Sequence, residues 1–292
     1  VSAPDLAPYL ASMLGAAVVT QSRVGTGHAW TLHRAVLADG RAVFVKRAAG
    51  ESDSVTLRAF RAEADGLRWL READAADLVP PVLAADDRTL VLPWADSVPP
   101  TRAAAERFGV ALAELHTHAV DRYGAPWAGC IATLPQDNTM VAGEWGSWYA
   151  RHRLLPLLPA AAAHLGRRGI RLVERVIAGI GELAGPPEPA CRIHGDLWSG
   201  NVLWTESGVR LVDPAAHGGH RETDLAMLRL FGAPHLDRIL GAYRERFPPA
   251  PGAEERVALH QLYPLLVHVV LFGAGYREQA VRAAEKALAG SS

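Results

Sequence analysis

The chain has 292 residues, of which 49% are apolar and 21% charged, and its formal net charge is −1. That length is enough for a two-lobed enzyme or two ordinary domains, and the composition is that of a soluble globular protein. The near-neutral charge excludes non-specific nucleic-acid binding, two cysteines are too few for a disulfide framework, and no apolar run approaches the length of a membrane span.

Residues 5–14 read as a short amphipathic helix ending at Gly15. Asp5 precedes its apolar run and no Lys or Arg appears before Arg23, the reverse of a signal peptide. Cys130 and Cys191 read as buried thiols in a reducing, cytoplasmic compartment. Alternation and β-branched content predict strands over 18–20, 30–37 and 42–46, with Ala38-Asp39-Gly40 as the hairpin turn between the last two. Between the first two lies Val24-Gly25-Thr26-Gly27-His28. Glycines there can bring backbone N–H groups against phosphates, although a Gly-x-Gly hairpin by itself is mostly just a hairpin.

Lys46 ends a strand of apolar neighbours, and Glu63 follows on a helical pattern with Phe60, Ala64, Leu67 and Leu70. A strand lysine paired with a glutamate on the next helix positions nucleotide phosphates in kinases, while a solvated helix charge is the plain alternative for Glu63. Two further strands are expected over 78–83 and 89–94, the second running into a hinge. From Thr101 onward the pattern is helical: 103–119, 168–183, 239–247, 255–271 and 279–288, with Pro264 as a candidate kink. Leu134 to Thr139 reads as a polar loop. His217-Gly218-Gly219-His220 and Cys191-x-x-His194 look like metal-ligand fragments, yet neither has a second ligand pair at zinc-site spacing.

Within the helical half, Ile193 to Trp204 and Val209 to Pro214 set Asp196, Asn201 and Asp213 at spacings of five and twelve residues. Each acidic residue follows a short apolar run. Single Asp and Asn residues in glycine-containing loops are commonly turn formers. The three together have the arrangement that phosphoryl transfer needs: one carboxylate to orient and deprotonate a hydroxyl, and an amide oxygen and a second carboxylate to hold Mg²⁺ against a triphosphate. The spacing occurs in protein-kinase-like enzymes.

His194-Gly195-Asp196-Leu197-Trp198-Ser199-Gly200-Asn201 resembles the signature of the fructosamine kinase (ketosamine-3-kinase) family, related to aminoglycoside phosphotransferases and choline kinases. Residues 134–139, 145–149 and 153–158 resemble that family too. The resemblance implies an α+β, two-lobed protein-kinase-like fold, with a nucleotide-binding lobe over 1–94 and a mostly helical catalytic and substrate lobe over 95–292. It implies an ATP- and Mg²⁺-dependent kinase acting on a sugar hydroxyl of fructosamines or ribulosamines, carried by a small amine or a glycated lysine.

In that reading Asp196 is the general base, Asn201 and Asp213 are the metal ligands, and Gly25, Gly27, Lys46, Glu63, Leu92, Pro93 and Trp94 meet ATP. The resemblance leads us to expect an acidic residue at position 93. Proline keeps its carbonyl but has no N–H, so the adenine donor passes to Trp94 or Ala95. Trp198, His194 and Asn138 are candidate substrate contacts; Trp198 stacks on the acceptor or simply packs, and His194 has a loop-holding role as its alternative. Asp224 is expected to cap the following helix and brace the catalytic loop. Asp213 is followed by proline, and ten residues separate it from Asp224, too few for a long activation loop, which favours a small-molecule acceptor. The alternatives are an aminoglycoside- or choline-type phosphotransferase, or an inactive nucleotide-binding module. The glycine turn contains no cysteine, which excludes a disulfide-linked dimer through it.

Overall fold

Asp5 opens helix α1 (Leu6–Leu14) by accepting the Ala7 N–H, and Gly15 closes it in the left-handed conformation. Leu6 and Leu10 of this helix are buried with Val43, Val45 and Val91, so α1 seals one side of the first sheet. The computed structural model describes residues 5–27, 29–50, 54–73 and 77–290; His28 of the glycine turn lies outside the described residues.

β1 (Val18–Thr26), β2 (Trp30–Leu37) and β3 (Ala42–Ala48) are antiparallel neighbours. β1 is longer than expected, because pairing continues through Gly25 opposite Leu32 to Thr26 opposite Thr31. Helix α2 (Ser54–Arg71) buries Phe60, Glu63, Leu67 and Leu70. The sheet is completed by β4 (Ala84–Ala85) and β5 (Thr89–Pro93), in the order β1-β2-β3-β5-β4. The strand expected over 78–83 is therefore not one. Pro80 and Pro81 lack the N–H groups a ladder needs, and pairing begins only where the Leu83 N–H donates to the Val91 carbonyl.

Beyond the hinge, Thr101 caps α3 (Arg102–Thr117), which buries Phe108, Leu112 and Leu115 at helical spacing. In place of a polar loop, β6 (Gly129–Ile131) and β7 (Leu134–Gln136) form a tight hairpin, with Ala132 at φ 50° in its turn. Helix α4 (Trp145–Tyr149) runs through a π turn and a 3-10 turn into α5 (Leu158–Ala178). That helix begins earlier than the sequence suggests, and Gly166 interrupts it at φ 70°. Helix α6 (Ile180–Leu183) follows.

Four short strands carry the signature region: β8 (Cys191–Ile193), β9 (Val202–Thr205), β10 (Gly208–Leu211) and β11 (His217–Gly219). They pair as β9 with β10 and β8 with β11. Helices α7 (Glu222–Phe231), α8 (Leu236–Arg246), α9 (Ala253–Phe272) and α10 (Arg277–Ala289) end the chain. α9 passes through Pro264 without a break. The run from Ala253 to Ala289 is long and apolar enough to cross a membrane by length and composition, which the sequence reading had not credited. It is divided by Gly273, and Leu259, Leu262, Leu266 and Val269 of α9 lie in the core of the large lobe.

The two lobes share an apolar core. Phe60, Leu67 and Leu90 of the small lobe pack in one cluster with Leu112, Trp204 and Leu211 of the large one. Each fully buried leucine there contributes about 1.5–3 kcal/mol. The floor of the cleft between the lobes is thereby fixed to both.

Candidate active site

Gly195 (φ 79°) turns the chain immediately after β8. An added Cβ would lie 2.3 Å from the Ala215 carbonyl oxygen, so only glycine lets this loop lie against the segment after Asp213. His194 is fully buried; its Nδ1 accepts the Asp196 N–H at 3.3 Å and its Nε2 donates to the Val212 carbonyl at 3.0 Å. Burial pushes its pKa down, so the ring is a neutral brace between the two halves of the signature. It is not a substrate contact, because both ring nitrogens are used internally.

Asn201 ties the same halves from the other side. Its amide nitrogen donates to the Asp196 carbonyl at 2.8 Å, to Asp196 Oδ2 at 3.1 Å and to the Asp213 carbonyl at 3.4 Å. Those bonds use the nitrogen, so the amide oxygen is the atom left for a cation. Asp213 sits at φ 53°, a strained conformation for a non-glycine residue, with its side chain half exposed. Lys46 Nζ lies 2.6 Å from Asp213 Oδ1 and 2.7 Å from Glu63 Oε2. Burial alone would lower the Lys46 pKa, but the two carboxylates outweigh it and keep the ammonium charged. Burial and the Asp213 charge push Glu63 up, against the pull of Lys46. For Asp213, Lys46 overcomes the cost of burial and holds the carboxyl below its usual value. Asp196 is pushed up to about 7, first by burial and then by the Asp213 charge, which a cation on Asp213 would partly cancel.

Asp224 is completely buried. It accepts the His194 N–H at 2.7 Å and the Gly195 N–H at 2.9 Å, and it lies 3.2 Å from His116 Nε2. It braces the loop that carries Asp196 but does not cap α7: it is the third residue of that helix, and Arg221 holds the cap position. Asn138 is not at the cleft. It is 5% exposed and its amide oxygen accepts from Arg153, a buried guanidinium stacked 4.2 Å from the Trp148 ring centroid.

A cavity of about 460 Å³ runs along the cleft and is lined by Lys46, Glu63, Asp196, Asn201, Asp213 and Trp198, among others. Gly25, Gly27, Leu92, Pro93 and Trp94 do not line it. At the hinge, the Trp94 N–H donates to the Ala42 carbonyl at 2.9 Å, which leaves Ala95 of the two adenine donors considered. Gly27 is pressed on the Trp30 indole, which in turn lies 4.3 Å from Lys46 Nζ.

A protein-family model described as fructosamine kinase matches residues 5–290. The chain belongs to the fructosamine kinase family. A family relative from Thermus thermophilus, described as a probable ketoamine kinase, is 35% identical over 217 residues, covering 74% of this chain and 78% of that one. The crystal structure of a protein described as a fructosamine-3-kinase from Thermobifida fusca superposes with a TM-score of 0.92. It is 48% identical and covers 99% of this chain and all of that one. A streptomycin–ATP ternary complex of APH(2")-IIa has a TM-score of 0.65 at 16% identity, over 97% of this chain and 99% of that one, a likeness of fold alone.

The signature residues Asp196, Asn201 and Asp213 were expected in one site and line one cavity; the aromatic part of its lining was not anticipated from the sequence. Phe231, His268, Phe272 and Tyr276 line the same cavity beside Trp198. The readable signal was the spacing of four between His268 and Phe272, which puts two rings on one face of α9; Tyr276 joins them from the 3-10 turn beyond Gly273. Trp30 was also missed as a cleft residue.

Among the described residues, His220, Glu222 and His260 have potential ligand atoms within 4.8 Å of one another. His220 Nδ1 accepts the Glu222 N–H, so its proton sits on Nε2, and the Arg256 guanidinium holds both Glu222 oxygens at 2.9 and 2.6 Å. The Nε2 atoms of His220 and His260 have no hydrogen-bond partner, but both Glu222 oxygens are taken by the Arg256 guanidinium, whose fixed positive charge beside the cluster argues against a metal centre there.

Proposed function

We propose that this chain is an ATP-dependent kinase that phosphorylates a ketosamine sugar hydroxyl, the 3-hydroxyl of a fructosamine or ribulosamine carried by a small amine or a glycated lysine. Residues 1–94 would serve the nucleotide and 95–292 the acceptor. The observation that carries the reading is the convergence of Lys46, Asp196, Asn201 and Asp213 on one cavity, in a chain of this family.

The acceptor hydroxyl lies against Asp196, which orients it and takes its proton. The hydroxyl oxygen then forms a bond to the γ-phosphorus as the bond from that phosphorus to the ADP oxygen breaks. Lys46, held by Glu63, binds phosphate oxygens. Asn201 Oδ1 and the Asp213 carboxylate would hold Mg²⁺, which when bound neutralises charge on the phosphates. The 3-phosphorylated product is unstable in this reading, which makes the reaction a deglycation. The two free cysteines fit a reducing compartment such as the cytoplasm.

An aminoglycoside acceptor is less well served. The carboxylates lining the cavity are Glu63, Asp196 and Asp213, all at the phosphoryl end, and none remains for a polycation. The test is coupled ADP release with Mg²⁺-ATP, comparing the fructosamine adduct of lysine with kanamycin and choline, and using Asp196→Asn as the blank. We expect turnover on the ketosamine and a loss of about 10²–10⁴-fold in the variant. Turnover on kanamycin or choline alone would overturn the acceptor, and ATP binding without turnover on any acceptor would favour a binding module.

A further inference from the structure

The acceptor end of the cavity differs in chemistry from the phosphoryl end. Trp198 and Phe231 meet edge to face at 6.3 Å between centroids, Phe231 lies 5.0 Å from His268, and His268 lies 4.7 Å from Tyr276 and 5.5 Å from Phe272. Pro264, Val267 and Leu271 complete that wall. Trp198, Phe231 and Phe272 are 41%, 38% and 52% exposed. Among the described residues they are the only aromatic members of the exposed large apolar set, and all three border this cavity. Exposed aromatic area collected beside a catalytic carboxylate marks a recognition surface.

We infer that this wall binds the amine substituent of the ketosamine, and that the preferred acceptors are adducts of amines bearing an aromatic ring or an aliphatic chain. The inference rests on the ketosamine reading and deepens it. With the reacting hydroxyl against Asp196, the rest of the acceptor extends along the aromatic wall, and a cavity of about 460 Å³ holds a sugar and a small apolar group together. The protonated secondary amine of such an adduct meets ring faces there, a favourable contact for one cation. His268 does not oppose it. Its Nδ1 is bonded to the Pro264 carbonyl at 2.7 Å, and burial holds the ring below its ordinary pKa, so it stays neutral. A carboxylate held close to the sugar, as in a glycine adduct, would be desolvated against rings that offer it no counter-charge, whereas a lysine adduct carries its charged end beyond a four-carbon aliphatic chain.

The experiment compares kcat/KM for fructose adducts of benzylamine, methylamine and glycine, with kanamycin and choline alongside. We expect the benzylamine adduct to exceed the methylamine adduct by at least about tenfold, and the glycine adduct to be poorest. In Phe272→Ala and Phe231→Ala the benzylamine-to-methylamine ratio should fall toward one, and Phe272→Leu should recover part of it. Phe272 is half exposed, so its variants test the wall even where Phe231→Ala folds poorly. A wild-type ratio near one, or a ratio that Phe272→Ala leaves unchanged, would overturn the inference while leaving the kinase reading intact. Turnover of kanamycin or choline with none of the adducts would remove the ketosamine reading, and this inference with it.

Discussion

Lys46 divides one buried ammonium between Glu63 and Asp213. The first bond fixes the lysine in place, and the second occupies the carboxylate assigned to Mg²⁺. Nucleotide binding should therefore exchange partners, with phosphate oxygens replacing Asp213 on Lys46 while Asp213 turns to the cation. Lys46→Met removes the charge around which the exchange is built. It should lower kcat/KM by about 10²–10³, the scale seen when one preorganised electrostatic contact is lost at a reacting centre. Calorimetry should show weaker Mg²⁺-ATP binding in the same variant. Activity within threefold of wild type would remove Lys46 from the phosphate site. The Lys46–Glu63 pairing is legible in sequence, since a strand lysine and a helix glutamate seventeen residues apart can meet locally. The second partner is not, because 167 residues separate Asp213 from Lys46 and only the tertiary fold joins them.

At the scale of elements, the loop that carries Asp196 is a turn held from behind by a helix. Asp224 sits in the first turn of α7 and takes two backbone N–H groups from His194 and Gly195 at full burial. Asp224→Ala strands both donors and should cost about 3 kcal/mol or more. Asp224→Asn keeps an acceptor oxygen and should cost less. Differential scanning calorimetry with a parallel activity assay separates the roles. If the loop depends on this brace, activity falls in step with stability, and an Asp224→Ala protein that melts like wild type would contradict the account. Sequence pattern captured the long periodic elements, such as α3 with Phe108, Leu112 and Leu115. It failed where local chemistry overrides composition. Pro80 and Pro81 cancel a strand that their apolar neighbours suggest, and the β6–β7 hairpin is hidden because Ala132 adopts a positive φ that normally advertises itself as glycine or asparagine. The aromatic wall was hidden for a different reason. Positions 268, 272 and 276 straddle the break at Gly273, so no single helical period links them, and only packing shows that they face one cavity.

For the whole molecule, the shared core between the lobes means that stability and cleft geometry are not separable, and a group of buried histidines governs part of that stability. His217, His220 and His260 are all buried, and burial holds each below its ordinary pKa of 6.5, His217 and His220 well below. They are neutral in the folded chain at pH 7. In the unfolded chain each takes up a proton near pH 6.5, so below that value the unfolded state binds more protons and stability falls as the pH drops. Above it these three groups contribute no pH dependence. Each histidine costs about 1.4 kcal/mol per pH unit below 6.5 until it can protonate in place. Glu222 acts at lower pH. Burial raises its pKa, but His260 and Arg256 prevail and bring it down to about 2, so its contribution is complete above 4.5 and is lost only as the pH falls from there toward 2. Acid destabilisation should therefore come in two stages, the first in the histidine range and the second in the carboxylate range. Melting temperatures measured from pH 8.0 to 4.0 at constant ionic strength test this. Asp196 and Glu63, both raised, take up protons in the folded chain as the pH falls and oppose this trend, so we expect no loss of stability from pH 8 to 7 and a net decline beginning near 6.5 that is shallower than three histidines alone would give. His217→Phe should reduce the slope of that first decline, since it removes one of the groups that must stay uncharged. A decline that His217→Phe leaves unchanged would mean that this ring reaches solvent or protonates in place, and the buried-histidine account would fail.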